Sequence, residues 1–125
     1  MDTGGMPWAQ ARAVGDRGEE LACAHLRTLG WEVLERNWRC PAGELDVVAR
    51  EGETLVFCEV KTRRSVRFGE PVEAVDQEKA LRLRRLAWAW LRAHDAQGSR
   101  FRIDVLGVLC RPGERPELTH LQGVA

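Results

Sequence analysis

Two apolar runs in the middle of the chain, separated by Glu51-Gly52-Glu53, constrain its fold most. A short polar segment with glycine between two such runs is a hairpin signal. The second run, Leu55-Val56-Phe57-Cys58, is apolar on both faces and reads as a central strand. Charges are nevertheless set into both runs: Glu44 and Asp46 in the first, Glu59 and Lys61 in the second. Ionised groups are rarely placed in a buried strand unless they are paired or bind a metal. Alternation puts Leu55, Phe57, Glu59 and Lys61 on one face and Val56, Cys58 and Val60 on the other. A turn centred on Glu51 and Gly52 sets Arg50 opposite Glu53, Asp46 opposite Phe57 and Glu44 opposite Glu59. Asp46 and Glu59 are then diagonal neighbours, roughly 7–8 Å apart at the backbone. A register one residue off would send Asp46 to the other face.

The 125 residues suffice for a single domain spanning 1–125, with its core over about residues 9–110. Residues 1–8 read as a loose start, with no apolar core of a signal peptide, and no apolar run reaches membrane-spanning length. A cytoplasmic protein without a membrane partner is expected. The cysteines Cys23, Cys40, Cys58 and Cys110 occur singly, which argues against a zinc site and, in a reducing compartment, against disulfides. Nineteen basic residues balance nineteen acidic ones, so net charge says nothing about nucleic acid. Its distribution says more. Lys61, Arg63, Arg64 and Arg67 form a basic run, and Arg82, Arg84, Arg85 and Arg92 cluster on a later helix, although such clusters are usually solvated surface.

Along the chain, the spacing predicts a helix over residues 9–29, stopped by Gly30, with Glu19, Ala22, Leu26 and Leu29 on one face. Gly15 and Gly18 weaken it by about 1 kcal/mol each against alanine. Spacing alone makes Glu19 a carboxylate at the edge of the stripe, reaching solvent or an arginine. A strand over 31–38 follows, then a loop punctuated by Asn37, Arg39, Pro41 and Gly43, and then the hairpin. Residues 63–69 read as a loop in which Arg63, Arg64 and Arg67 suit phosphates, and a short helical turn ends at Val75. Asp76 is the predicted N-cap of a long helix to His94. Its core stripe is Ala80, Leu83, Ala87, Trp90, Leu91 and His94, with Lys79 at the edge and Gln77 able to reach back toward the sheet. A strand over 101–110 and an edge strand over 117–121 complete an α-β-β-β-α-β(-β) order, an α/β sandwich with a mixed sheet and helices on both faces.

An acid, a second acid and a lysine on one face at a strand end suit a divalent-cation site. Phosphodiester hydrolysis needs a cation to polarise the phosphoryl oxygen and a deprotonated water. Mg²⁺ is held by a few carboxylate oxygens and keeps several waters. Asp46 and Glu59 are candidate ligands, Lys61 could orient the water or offset charge, and Glu44 is a supporting or alternative ligand. A salt-bridge cluster of Lys61 with Asp46 or Glu59 fits the same residues equally well.

Gly43-Glu44-Leu45-Asp46, followed thirteen residues after the aspartate by Glu59-Val60-Lys61, resembles the Asp…Glu-x-Lys signature of the restriction-endonuclease-like superfamily. Leu45 stands where the superfamily pattern has a proline. Gly18-Glu19 with Ala22, Leu34-Glu35-Arg36-Asn37-Trp38-Arg39, Phe57-Cys58-Glu59-Val60-Lys61-Thr62-Arg63, Phe68-Gly69, Lys79 and Arg102-Ile103-Asp104-Val105 further resemble the YraN-type family of predicted endonucleases. The resemblance runs from about Gly15 to Leu109. It implies a nuclease core similar to archaeal Holliday-junction resolvases, with Asp46, Glu59 and Lys61 at a Mg²⁺ or Mn²⁺ site and Glu19 joining as a ligand from the first helix. The expected partner is nucleic acid, with DNA, including branched DNA, ahead of RNA. Arg63, Arg64, Arg67 and Lys79 are the candidate contacts, and a homodimer would suit junction cleavage. A non-catalytic nucleic-acid-binding module and a protein-interaction domain with a structural ion-pair cluster are the competing readings.

Overall fold

The computed structural model describes residues 8–65 and 76–124, the side chains of residues 8–13 excepted. Arg67, Phe68, Gly69 and the helical turn expected before Asp76 lie outside the described residues. The elements run α1 (Trp8–Thr28), β1 (Glu32–Cys40), β2 (Gly43–Glu51), β3 (Thr54–Arg63), α2 (Gln77–Ala93), β4 (Arg100–Leu109) and β5 (Glu117–Leu121). The strands form one mixed sheet in the order β1-β2-β3-β4-β5. Only β3 and β4 are parallel, as they must be when α2 forms the crossover between them.

Each helix covers one face of the sheet. Ala22, Cys23 and Leu26 of α1 pack on Val47, Ala49, Val56, Cys58 and Leu106. Leu83, Leu86, Ala87, Trp90 and Leu91 of α2 pack on Leu45, Val48, Leu55, Phe57 and Ile103. The alternation read for β3 is thus the real one. Asp76 caps α2 as predicted, its Oδ1 accepting the Lys79 N–H at 2.9 Å. All four cysteines are free. No helix among the described residues is long and apolar enough to cross a membrane.

Several expectations are corrected. Leu29 leaves the α1 stripe and is exposed, because the helix has ended at Thr28. His94 is exposed as the C-cap of α2, its ring stacked on Trp90 at 3.9 Å rather than in the core. β1 continues to Cys40 through the expected loop, with Asn37 held at φ 54 inside it. The hairpin register is also off by two residues. Gly52, at φ 57, and Glu53 form the turn, so Glu51 faces Thr54, Arg50 faces Leu55 and Val48 faces Phe57. Asp46 does not face Phe57, and Glu44 does not face Glu59. A shift of two leaves each residue on its original face, so the alternation argument survives its wrong register.

β2 also rolls over near its start. Leu45 packs toward α2 while Val47, two residues on, packs toward α1. The roll occurs at Asp46, level with Asn37 between the rungs Arg36↔Val47 and Trp38↔Leu45. The left-handed backbone of Asn37 lets β1 turn with it.

Candidate active site

The β2–β3 ladder ends at Val47↔Cys58, and one rung further Asp46 stands level with Glu59. The Val60 backbone N–H donates to Asp46 Oδ2 at 2.8 Å, so a side chain takes over from the ladder where it stops. Glu59 follows Leu55 and Phe57 on the α2 face and is only 9% exposed. The two carboxyl groups are in hydrogen-bonding contact. Burial, with the neighbouring Glu59 next, pushes the Asp46 carboxyl up to about 8, and Glu19 adds to the effect. Asp46 therefore keeps a proton at neutral pH when no cation is bound. The direction follows from two acids sharing one desolvated place.

Lys61 lies two residues beyond Glu59 on the same face. Burial and the adjacent Lys79 lower its ammonium pKa to about 8, against the opposing pull of Glu59. Lys79 reaches in from the first turn of α2, aligned with the buried Leu83, Leu86 and Trp90. Its Nζ is 3.3 Å from Glu59 Oε1, with the side chains 16% and 11% exposed. Expected as a nucleic-acid contact, Lys79 is thus seated on a candidate ligand. The helical spacing had aligned it with the core, but only the packing of α2 shows what it meets.

Glu19 reaches the same region from α1. Its Oε1 lies 3.6 Å from Arg36 Nη2, and Asn37 hydrogen-bonds its carboxylate. Burial raises its pKa despite these partners. The arginine contact read from spacing is present, and Glu19 is also near enough to Asp46 to raise the latter's pKa. Glu44 pairs with Arg39 across β1 at 3.3 Å rather than with the Glu59 side of the site. Gln77 is exposed as the first residue of α2. Arg63 is not in a loop: it ends β3, is 8% exposed, and its carbonyl accepts the Cys110 N–H at 2.7 Å. Arg64, the next residue, is exposed. Among the described residues no three Asp, Glu, His or Cys side chains converge as they stand on a point that could hold a metal ion. Asp46 and Glu59 are the pair that meets, while Glu19 is partnered by Arg36 and Asn37.

Asp104 is a buried acid that sequence reasoning left without a role. It is fully buried on β4 and accepts from Arg102 Nε at 3.0 Å and the Gly123 N–H at 3.1 Å. His120 Nε2 lies 2.8 Å from its other oxygen. The alternation Arg102-Ile103-Asp104 in an apolar strand was the available signal.

The helix–three strand–helix–strand order on a five-stranded mixed sheet makes this an α/β protein whose architecture is consistent with the restriction-endonuclease-like fold. The chain belongs to the YraN-like UPF0102 family: residues 18–108 match the family described as "Uncharacterised protein family UPF0102". It is 56% identical over 112 residues to a UPF0102 protein of Beutenbergia cavernae, covering 90% of this chain and 95% of that one. A UPF0102 protein of Acidothermus cellulolyticus is 52% identical over 126 residues, covering 92% and 96%. One from Nocardia farcinica is 50% identical over 113 residues, covering 90% and 89%. β5 lies C-terminal to the matched residues 18–108.

Proposed function

We propose that this chain is a metal-dependent endonuclease that hydrolyses phosphodiester bonds of DNA, with Asp46, Glu59 and Lys61 at its site. The observation that carries the reading is the meeting of the Asp46 and Glu59 carboxyls at a ladder end, in a place so desolvated that Asp46 holds a proton up to about pH 8. A divalent cation can replace that proton. One or two carboxylates, with waters and substrate phosphate, is the usual donor set for Mg²⁺, so this pair fits Mg²⁺ or Mn²⁺. Such an ion would polarise the phosphoryl oxygen and acidify a water. Asp46 is aimed by the Val60 N–H, which fixes one carboxylate oxygen and leaves the other for the cation. Lys61 Nζ, with its pKa lowered to about 8, is partly neutral near physiological pH and can take a proton from the attacking water. In its charged form it offsets charge building on the phosphate. The exposed Arg64, just past the site, suits a phosphate further along the strand.

The test is incubation of the full chain with duplex, branched and single-stranded DNA and with RNA, in Mn²⁺ and in EDTA. The expected result is DNA cleavage in Mn²⁺ that EDTA abolishes and that Lys61→Ala slows by about 10²–10⁴-fold. No cleavage of any substrate, or cleavage indifferent to Lys61→Ala, overturns the reading. Preference for a four-way junction calls for paired sites, and hence for elution as a dimer.

The Lys79–Glu59 ion pair favours a second reading, a nucleic-acid-binding module without turnover. It predicts binding that persists in EDTA, with log affinity falling linearly with log salt.

A further inference from the structure

We propose that Lys79 is the resident counter-cation of this site, seated on Glu59 while no divalent ion is bound and released to a substrate phosphate when one binds. The inference rests on the nuclease reading of the same site and adds a residue and a sequence of events to it.

The backbone of Lys79 is fixed, because its N–H is held by the Asp76 cap at 2.9 Å and its helix is anchored by Leu83, Leu86 and Trp90. Only the side chain is free to change partners. Its four-carbon stem and compact ammonium can move a charge by several ångströms without moving the helix. Nζ now lies 3.3 Å from Glu59 Oε1, where it occupies one face of a ligand the cation would need. It also lies within hydrogen-bonding reach of Lys61, so two amines are packed together beside a single ion-paired carboxylate.

That arrangement leaves positive charge in excess once a cation arrives. A divalent ion held by Asp46 and Glu59 would match the charge of both carboxylates. Lys79 then loses its reason to stay on Glu59, and Lys61 and Lys79 together face the site with no carboxylate left to pair with. A phosphodiester is the anion that such a pair suits. A permanent structural ion pair predicts the opposite. Removing Lys79 would then leave Glu59 unanchored and weaken cation binding.

The experiment is calorimetric titration of Mn²⁺ into the full chain at pH 7, for wild type, Lys79→Met and Lys79→Arg. Losing a competing charge at a partly screened site should tighten Mn²⁺ binding by roughly three- to tenfold in Lys79→Met, while Lys79→Arg stays within about twofold of wild type. Duplex DNA affinity, measured in Ca²⁺, should fall about tenfold in Lys79→Met, with the salt slope reduced by about one. Should Lys79→Met not fold, Lys79→Gln reads the same effect through the rise in thermal midpoint on adding Mn²⁺. Wild type that binds Mn²⁺ alongside a Lys79→Met variant that binds it equally or more weakly overturns the role given to Lys79 and leaves the nuclease reading standing. Wild type that takes up no Mn²⁺ overturns both.

Discussion

The Val60 backbone N–H donates to Asp46 Oδ2 at 2.8 Å, one rung past the end of the β2–β3 ladder. The bond explains how a carboxyl is tolerated at a strand end that is largely desolvated. One oxygen takes the place of a ladder acceptor, and the carboxyl also meets Glu59.

Asp46→Asn should therefore leave the metal-free fold nearly intact. Its amide oxygen can accept the same Val60 N–H, and its NH₂ can donate to Glu59 as the protonated acid does. Because wild type must take up a proton at Asp46 to fold at pH 7, Asp46→Asn should raise stability to urea at pH 7, and the gain should shrink as the pH falls toward about 4. The rise in thermal midpoint on adding Mn²⁺ should vanish. Severe loss of stability with an unchanged Mn²⁺ response would assign Asp46 to the fold alone.

Stability should pass through a minimum near pH 8 without divalent ions. The Asp46 pKa rises on folding from 3.8 to about 8, so the native state binds more protons across that window and loses stability as pH climbs through it. Lys61 is the reverse case, lowered from 10.5 to about 8, so its cost is full below about pH 8 and is relieved as pH rises toward 10.5. Denaturant melts across this range should show the minimum, and Asp46→Asn should flatten its acid limb. A monotonic profile in wild type would contradict the assignment.

Gly18 is a point of close approach between α1 and the site strand. A Cβ there would overlap Thr62 Oγ1 and lie 2.9 Å from Thr62 Cβ, and Thr62 is buried and β-branched. Gly18→Ala should cost roughly 1–3 kcal/mol by overpacking, despite the better helix propensity of alanine. Thr62→Ala in the same chain should recover part of the loss, measured as a double-mutant cycle in urea. A stabilised single mutant would rule out the close approach.

Asp104→Ala should be the most damaging of these changes, at roughly 2–4 kcal/mol, since it removes a fully buried acceptor shared by Arg102, His120 and Gly123, while Arg102 keeps its contact with Glu51. His120→Ala removes one of those partners and should cost roughly 1–3 kcal/mol. Thermal unfolding ranks the two, and a harmless Asp104→Ala would contradict the packing described.

Much of this architecture was legible in the sequence because its signals are local. The Asp76 cap, the helix stripe through Leu83, Ala87, Trp90 and Leu91, and the alternation that puts Glu59 and Lys61 together need only period and propensity. The hairpin register was not legible, because Glu51-Gly52 and Gly52-Glu53 are both acceptable turns and the backbone of Gly52 decides between them. The roll of β2 at Asp46 depends on the left-handed Asn37 across the strand pair, which no periodicity reports. The seating of Lys79 on Glu59 and the satisfaction of Asp104 by Arg102, His120 and Gly123 are tertiary facts. Each joins residues from elements whose relative placement only packing determines.

The most direct test of the account is a crystal of the full chain grown with Mn²⁺ and measured at a wavelength where manganese scatters anomalously. The account predicts one strong peak between the carboxylates of Asp46 and Glu59, at about 2.1 Å from an oxygen of each, with Lys79 moved off Glu59. No peak there at saturating Mn²⁺, with Lys79 still paired to Glu59, would contradict it.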